Sequence, residues 1–194
     1  MTCRIPFLAA PLFALLLVGG CVSFQKTDTK RSSIEQLLLS TAADRAACEI
    51  AAHPLSGKKV FLDTAGLEAV DKGYAVGTIR EKLGAKGVQF VAEVKEADAI
   101  AEAVCGGLGT DSEESLIGIP AFQIPTPTGS VGTPELALFK STKQRGMAKF
   151  LLYARDAKTG RHILTTGPHL GQAYFNRYVI LVVKFRTTDI PGKP

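Results

Sequence analysis

The sequence predicts an α+β fold: a single mixed or antiparallel β-sheet with helices packed against it. Three observations carry that expectation. An apolar set starting at Ile34 recurs at helical spacing. Compact β-type runs occur at 58–64 (KKVFLDT), 146–155 (GMAKFLLYAR) and 178–187 (YVILVVKFRT). Between the last two, Asp156-Ala157-Lys158-Thr159-Gly160 has Asp at its start and Gly at its end, the chemistry of a tight hairpin.

The elements follow in order. Ser32-Ser33-Ile34-Glu35 opens the first helix, with Ser32 as cap and Glu35 completing a capping box. Ile34, Leu37, Leu38, Ala42, Ala46 and Ile50 then share one face, and Pro54 and Gly57 end the helix. After the strand at 58–64, residues 73–85 read as a second helix and 88–94 as a second strand. Residues 95–105 alternate at period two and read as a third strand. Residues 117–134, IGIPAFQIPTPTGSVGTP, hold four prolines and three glycines, which exclude helix and central strand and predict a long extended loop. Apolar Ile117, Ile119, Phe122 and Ile124 make that loop a candidate partner or membrane contact, against the alternative of a loop wrapped on the sheet with these side chains buried. The hairpin 146–166 and a final strand 178–187 complete the domain.

The N-terminus carries a different signal. Arg4 precedes an apolar segment, Ile5 to Val18, of 14 residues interrupted by Pro6 and Pro11. A spanning helix needs roughly 20. A charged start, a short apolar middle and small residues before a cut site describe a secretory signal over residues 1–20. Val18-Gly19-Gly20-Cys21 resembles the bacterial lipobox, which implies acylation of Cys21, palmitate included, and processing there. Residue 22 is Val rather than Asp. By the sorting rule known for such lipoproteins, this implies the periplasmic face of the outer membrane. Residues 21–31 then form a polar tether, and 32–190 a single domain.

With Cys21 lipidated, Cys48 and Cys105 remain in the mature chain. A bridge between them and two separate buried thiols both fit the sequence.

Charge is strongly segregated. Eight acids lie between Glu93 and Glu135 against Lys95 alone, whereas from Lys140 onward eleven cations face Asp156 and Asp189. The basic half can meet the chain's own acidic half, a membrane or polymer surface, or nucleic acid, and an extracytoplasmic location argues against the last. The absence of Trp leaves few stacking platforms for sugars or bases.

No catalytic constellation emerges. Leu62-Asp63-Thr64-Ala65-Gly66 interrupts the Asp-Thr-Gly of aspartic proteases with an alanine, and no second copy supplies the other carboxylate. Gly106-Gly107-Leu108-Gly109-Thr110-Asp111 lacks the Lys-Ser/Thr of a P-loop and reads as a turn. Asp111, Glu113 and Glu114 lack the spacing of a calcium loop. His53, His162 and His169 show no zinc pattern. The expectation is no catalytic residue, no metal and no cofactor. A hydrolase using Asp63, the acids 111–114 or His162 is the rival from another class, and it requires those groups to converge.

Residues 34–40 (IEQLLLS), 99–111, Gly118-Ile119-Pro120, 134–140 (PELALFK) and 156–160 (DAKTG) resemble an uncharacterised family of bacterial lipoproteins over nearly the whole mature chain. The order strand, helix, strand, an Ala-rich strand after Glu-Ala-Asp-Ala, then a hairpin with Asp-x-x-Thr-Gly is distantly similar to the curli-secretion and penicillin-binding-protein-activator lipoproteins. That resemblance implies an α+β periplasmic module that binds or builds protein assemblies. The expected protein is therefore a non-enzymatic, lipid-anchored envelope module with an envelope protein partner, or a homo-oligomer forming a ring, pore or secretion component.

Overall fold

A computed structural model describes residues 31–127 and 129–192. The leader, Cys21 and all of the tether but Arg31 lie outside the described residues. The described chain is α+β and mainly sheet. Helix α1 (Ser33–Cys48) is followed by strand β1 (Lys59–Asp63), helix α2 (Lys72–Ala85) and the two-residue strand β2 (Gln89–Phe90). Strands β3 (Ala99–Ile119), β4 (Gln123–Thr126), β5 (Gly129–Gly132), β6 (Leu136–Asp156), β7 (His162–Ile180) and β8 (Val183–Thr188) complete it.

Six strands form one mixed sheet in the order β2-β1-β3-β6-β7-β8, and β4 and β5 pair by themselves as a small second sheet. β1 is parallel to β2 and β3, and every other pairing is antiparallel. The expected single sheet is thus a large sheet plus a separate ribbon.

Three strands dominate. β3 and β6 each run 21 residues and β7 runs 19, far beyond the usual five or six. Their near halves lie under the helices and hold the core. Phe150, Leu152, Ala154, Ala99, Ala101 and Ala103 are buried there with Val60, Leu67, Ile79 and Leu83.

Helix α1 is fixed by its start and its small face. Ser32 Oγ accepts the Glu35 N–H at 3.2 Å, and the Glu35 carboxylate accepts the Ser32 N–H at 3.0 Å, the expected capping box. Ala42, Ala43, Ala46 and Ala47 are buried against the sheet. The sheet meets them with glycine. A Cβ on Gly171 would sit 1.9 Å from the Ala42 carbonyl oxygen, and one on Gly146 2.5 Å from that of Leu38. Alanine on the helix and glycine on the strands bring the two backbones into direct contact. On the far side of α1, Asp44 accepts hydrogen bonds from the Thr78 hydroxyl (2.7 Å) and the Tyr74 hydroxyl (3.0 Å), tying α1 to α2. Burial and the neighbouring Asp44 carboxylate raise the Tyr74 hydroxyl above its ordinary pKa.

Several sequence expectations change. The stretch 106–111 is not a turn but part of β3, whose register shifts at a bulge between Cys105 and Gly107. The third strand starts at Ala99, after a single 3-10 turn at Val94–Glu96, and runs on to Ile119 instead of ending at 105. The expected strand at 88–94 shrinks to Gln89–Phe90. The predicted loop 117–134 is mostly strand, made of the end of β3 and the β4–β5 hairpin. Pro125 is accommodated opposite Ser130 because both strands of a two-stranded ribbon are edges. The final strand is two strands, broken at a turn where Leu181 has φ 55°. The hairpin at Asp156–Gly160 is as expected, with Gly160 at φ 70°.

Candidate functional site: the uncovered end of the sheet

Beyond α1 the long strands continue with no helix over them among the described residues, and this far end gathers most of the exposed large apolar side chains. Ile117 and Ile119 end β3, Phe122 and Ile124 open the β4–β5 hairpin, Leu136 and Leu138 start β6, and Ile180 to Val183 form the β7–β8 turn. Leu181 is 63% and Val182 90% exposed. Register ties three of these segments together: Ile117 lies opposite Phe139, and Phe139 opposite Ile180. All four candidate contact residues are exposed; Ile117 is the most so, at 62%. Leu136, Leu138 and the β7–β8 turn were missed. Apolar residues in a strand carry no mark in the sequence that tells a covered position from an uncovered one.

One row nearer the core, Tyr178 and Phe185 stack with ring centroids 5.0 Å apart. The opposite face of the same two strands is cationic. Arg177 and Arg186 face each other directly across β7 and β8, and Lys184 lies beside them opposite Val179. None of the ion pairs among the described residues involves these three exposed cations. Like charges opposite each other in a ladder repel. Arg177 finds relief only over the Phe175 ring, 5.0 Å from its centroid. These cations, with Ile34, line a groove of about 340 Å3. Ile34 is in the first turn of α1, so the chain enters the domain beside this basic strip.

The rest of the charge segregation resolves within the molecule. β3 is the acidic strand and β6 the basic one, and they pair in register: Asp111 opposite Arg145, Glu113 opposite Lys143. Lys140 bridges Glu114 at 2.9 Å and Glu135 at 3.0 Å. The hydrogen bonds that Lys140 donates to those two carboxylates, Glu114 first, raise its pKa above the ordinary lysine value. Arg155 pairs with Glu102 at 3.1 Å.

The residues of a hydrolase do not converge. Asp63 ends β1, His162 starts β7, and β3 and β6 lie between them. Three strand spacings separate those positions by about 14 Å. The acids at 111–114 lie farther along β3. Among the described residues no group of three His, Cys, Asp or Glu side chains is placed to hold a metal ion. His162 bonds Thr165 at 2.9 Å and His169 bonds Thr166 at 2.6 Å, both local contacts within β7. Cys48, exposed at the end of α1, and half-buried Cys105, in β3 opposite Phe150, are separate free thiols. Among the described residues no helix is long and apolar enough to cross a membrane.

The fold and this surface define a class: an α+β protein, mainly sheet, with one half of its sheet packed under helices and the other half uncovered among the described residues. The particular family is shown by residues 16–184, which match the model of a family of unknown function (DUF6655). The chain belongs to that family. No curated protein matches the sequence.

Proposed function

We propose that the protein is a lipid-anchored module of the cell envelope, held on the periplasmic face of the outer membrane through Cys21, and that it binds another envelope component without catalysis. The observation that carries the reading is the apolar far end of the sheet, beyond the reach of the core. A monomer rarely leaves so many large apolar side chains together in water. The segment Val18-Gly19-Gly20-Cys21 supplies the anchor, and several acyl chains at ~0.8 kcal/mol per buried CH2 give durable attachment. Tethering raises local concentration, so a modest contact suffices.

Two measurements test the reading. Labelled palmitate is expected to enter the wild type and not Cys21→Ser. Photo-crosslinkers at Phe122 and Leu138 are expected to capture an envelope component in intact cells, whereas crosslinkers at Lys158, at the other end of the strands, capture none. Equal labelling of both proteins sinks the anchor, and equal capture at both ends sinks the contact.

A second reading, self-assembly, draws on the sheet's two free edges. β8 is terminal in the sheet, and β3 has no outer neighbour beyond the short stretch that pairs with β1. One edge carries Lys184 and Arg186, the other Asp111, Glu113 and Glu114. Opposite signs favour head-to-tail addition of copies. Native mass spectrometry in detergent tests this, and a monomer at all concentrations refutes it.

A further inference from the structure

We infer that the far end of the sheet docks into an anionic lipid bilayer, with the β7–β8 turn entering the acyl region and Arg177, Lys184 and Arg186 meeting the phosphate headgroups. The inference deepens the envelope-module reading, on which it rests for bringing the chain to a membrane, and it commits that module's apolar end to lipid rather than to protein.

Three independent observations converge on this occupant. The turn is the most exposed apolar point of the described chain: Leu181 and Val182 project past the last ladder pair, Ile180 with Val183. The cations stand at the right height above it. Lys184 and Arg186 follow Val182 by two and four residues, roughly 7 and 13 Å along a strand. Interfacial helices bury their apolar face about 5–10 Å into the headgroup/acyl boundary, and a tip sunk to that depth brings Lys184 to the phosphates with Arg186 a few ångströms above, within reach of its long side chain. Finally, the cations are uncompensated among the described residues. The acids of β3 are matched by β6, yet Arg177 and Arg186 oppose each other with no carboxylate beside them. An apolar protein partner leaves that repulsion in place, whereas a surface of phosphates removes it. The stacked Tyr178 and Phe185 rings lie between turn and core, where aromatic side chains favour the membrane–water boundary. Ile34, in the first turn of α1, lines the same basic groove.

The chain has no tryptophan, which makes a single introduced one an unambiguous reporter. Val182→Trp and, as control at the opposite end of the strands, Lys158→Trp are placed in the full chain, purified from membranes and reconstituted. The vesicles are phosphatidylglycerol/phosphatidylethanolamine or phosphatidylcholine, with brominated acyl chains as quencher. Expected is bromolipid quenching of Val182→Trp in the anionic vesicles, none for Lys158→Trp, and a fall to the control level when Lys184→Glu and Arg186→Glu are added. Circular dichroism of the charge variant checks that it folds. The inference is overturned if Val182→Trp stays as open to acrylamide with vesicles as without. It is equally overturned if quenching is the same in neutral vesicles and survives charge reversal, or if the tryptophan is shielded only when envelope proteins are added. N-terminal mass spectrometry of the same preparation reports the Cys21 lipid separately. A missing anchor and a tip that stays out of the bilayer are therefore distinct results.

Discussion

Replacing Gly171 by alanine tests how the helix is seated on the sheet. The new methyl would meet the Ala42 carbonyl oxygen at 1.9 Å and the Ala46 nitrogen at 2.6 Å. Both are backbone atoms of α1, so no side chain can swing away. The helix has to lift by more than 1 Å to restore a contact that real Cβ atoms tolerate. Lifting it opens gaps around Leu38 and the buried alanines of the same helix. Overpacking of this kind costs about 1–3 kcal/mol, and a clash with the helix backbone itself places Gly171→Ala at the upper end. For a chain of this size that lowers Tm by about 6–12 °C. Gly146→Ala, facing Leu38, is expected to behave alike. Gly109→Ala is the control. It lies on the same long strand system with nothing within 4 Å of its Cβ position, and should show no loss. Urea unfolding followed by circular dichroism reads all three. If Gly171→Ala and Gly109→Ala unfold at the same urea concentration, the account of α1 seated on bare backbone is wrong.

Two further predictions concern the remaining polar and thiol groups. The Asp156 carboxylate accepts the Thr159 N–H at 2.8 Å, its hydroxyl at 2.9 Å and the Lys158 N–H at 3.1 Å, which hold its pKa below the ordinary aspartate value. A depressed folded-state pKa contributes stability above the unfolded pKa, and that stability is lost as pH falls through the folded one. Carboxyl NMR should find Asp156 titrating on the acid side of normal, and Thr159→Ala should move the midpoint upward; an unchanged midpoint refutes the turn geometry. For the thiols, unreduced protein should label at both Cys48 and Cys105 with a maleimide, exposed Cys48 faster, whereas a non-reducing peptide map showing them joined contradicts the structure.

The legible parts of the fold are those set by local chemistry. The capping box at Ser32 and Glu35, helix α2 and the Asp156–Gly160 hairpin follow from contacts within a few residues and are where the sequence places them; the α1 face holds at Leu38, Ala42 and Ala46, whereas Leu37 is exposed and the helix ends at Cys48 instead of reaching Pro54. The length of β3 was not legible. Gly106, Gly107 and Gly109 look like turn residues, yet they are held extended by a partner strand some 40 residues away. Proline misled in the same way: Pro125 forbids a central strand and is harmless at an edge, and only topology says which it occupies. The Ile180–Val183 run falls inside the single strand expected at 178–187, because apolar content alone does not mark where a strand turns. The charge segregation was legible as a pattern, and pairing of β3 with β6 explains most of it. The unmatched Arg177, Lys184 and Arg186 emerged only once the neighbours of β8 were known.

The long strands give the molecule two ends with separate duties. Phe150, Leu152 and the alanines beneath α1 hold the fold at one end, and no side chain at the other belongs to either buried cluster. On the proposed reading, substitutions at the exposed apolar positions of this end can therefore retune what the protein grips while its folding stays as it was, Gly118 excepted, where a Cβ would meet the Leu136 carbonyl oxygen at 2.1 Å. Variation among relatives is free to accumulate there, and the half beneath the helices has to stay put.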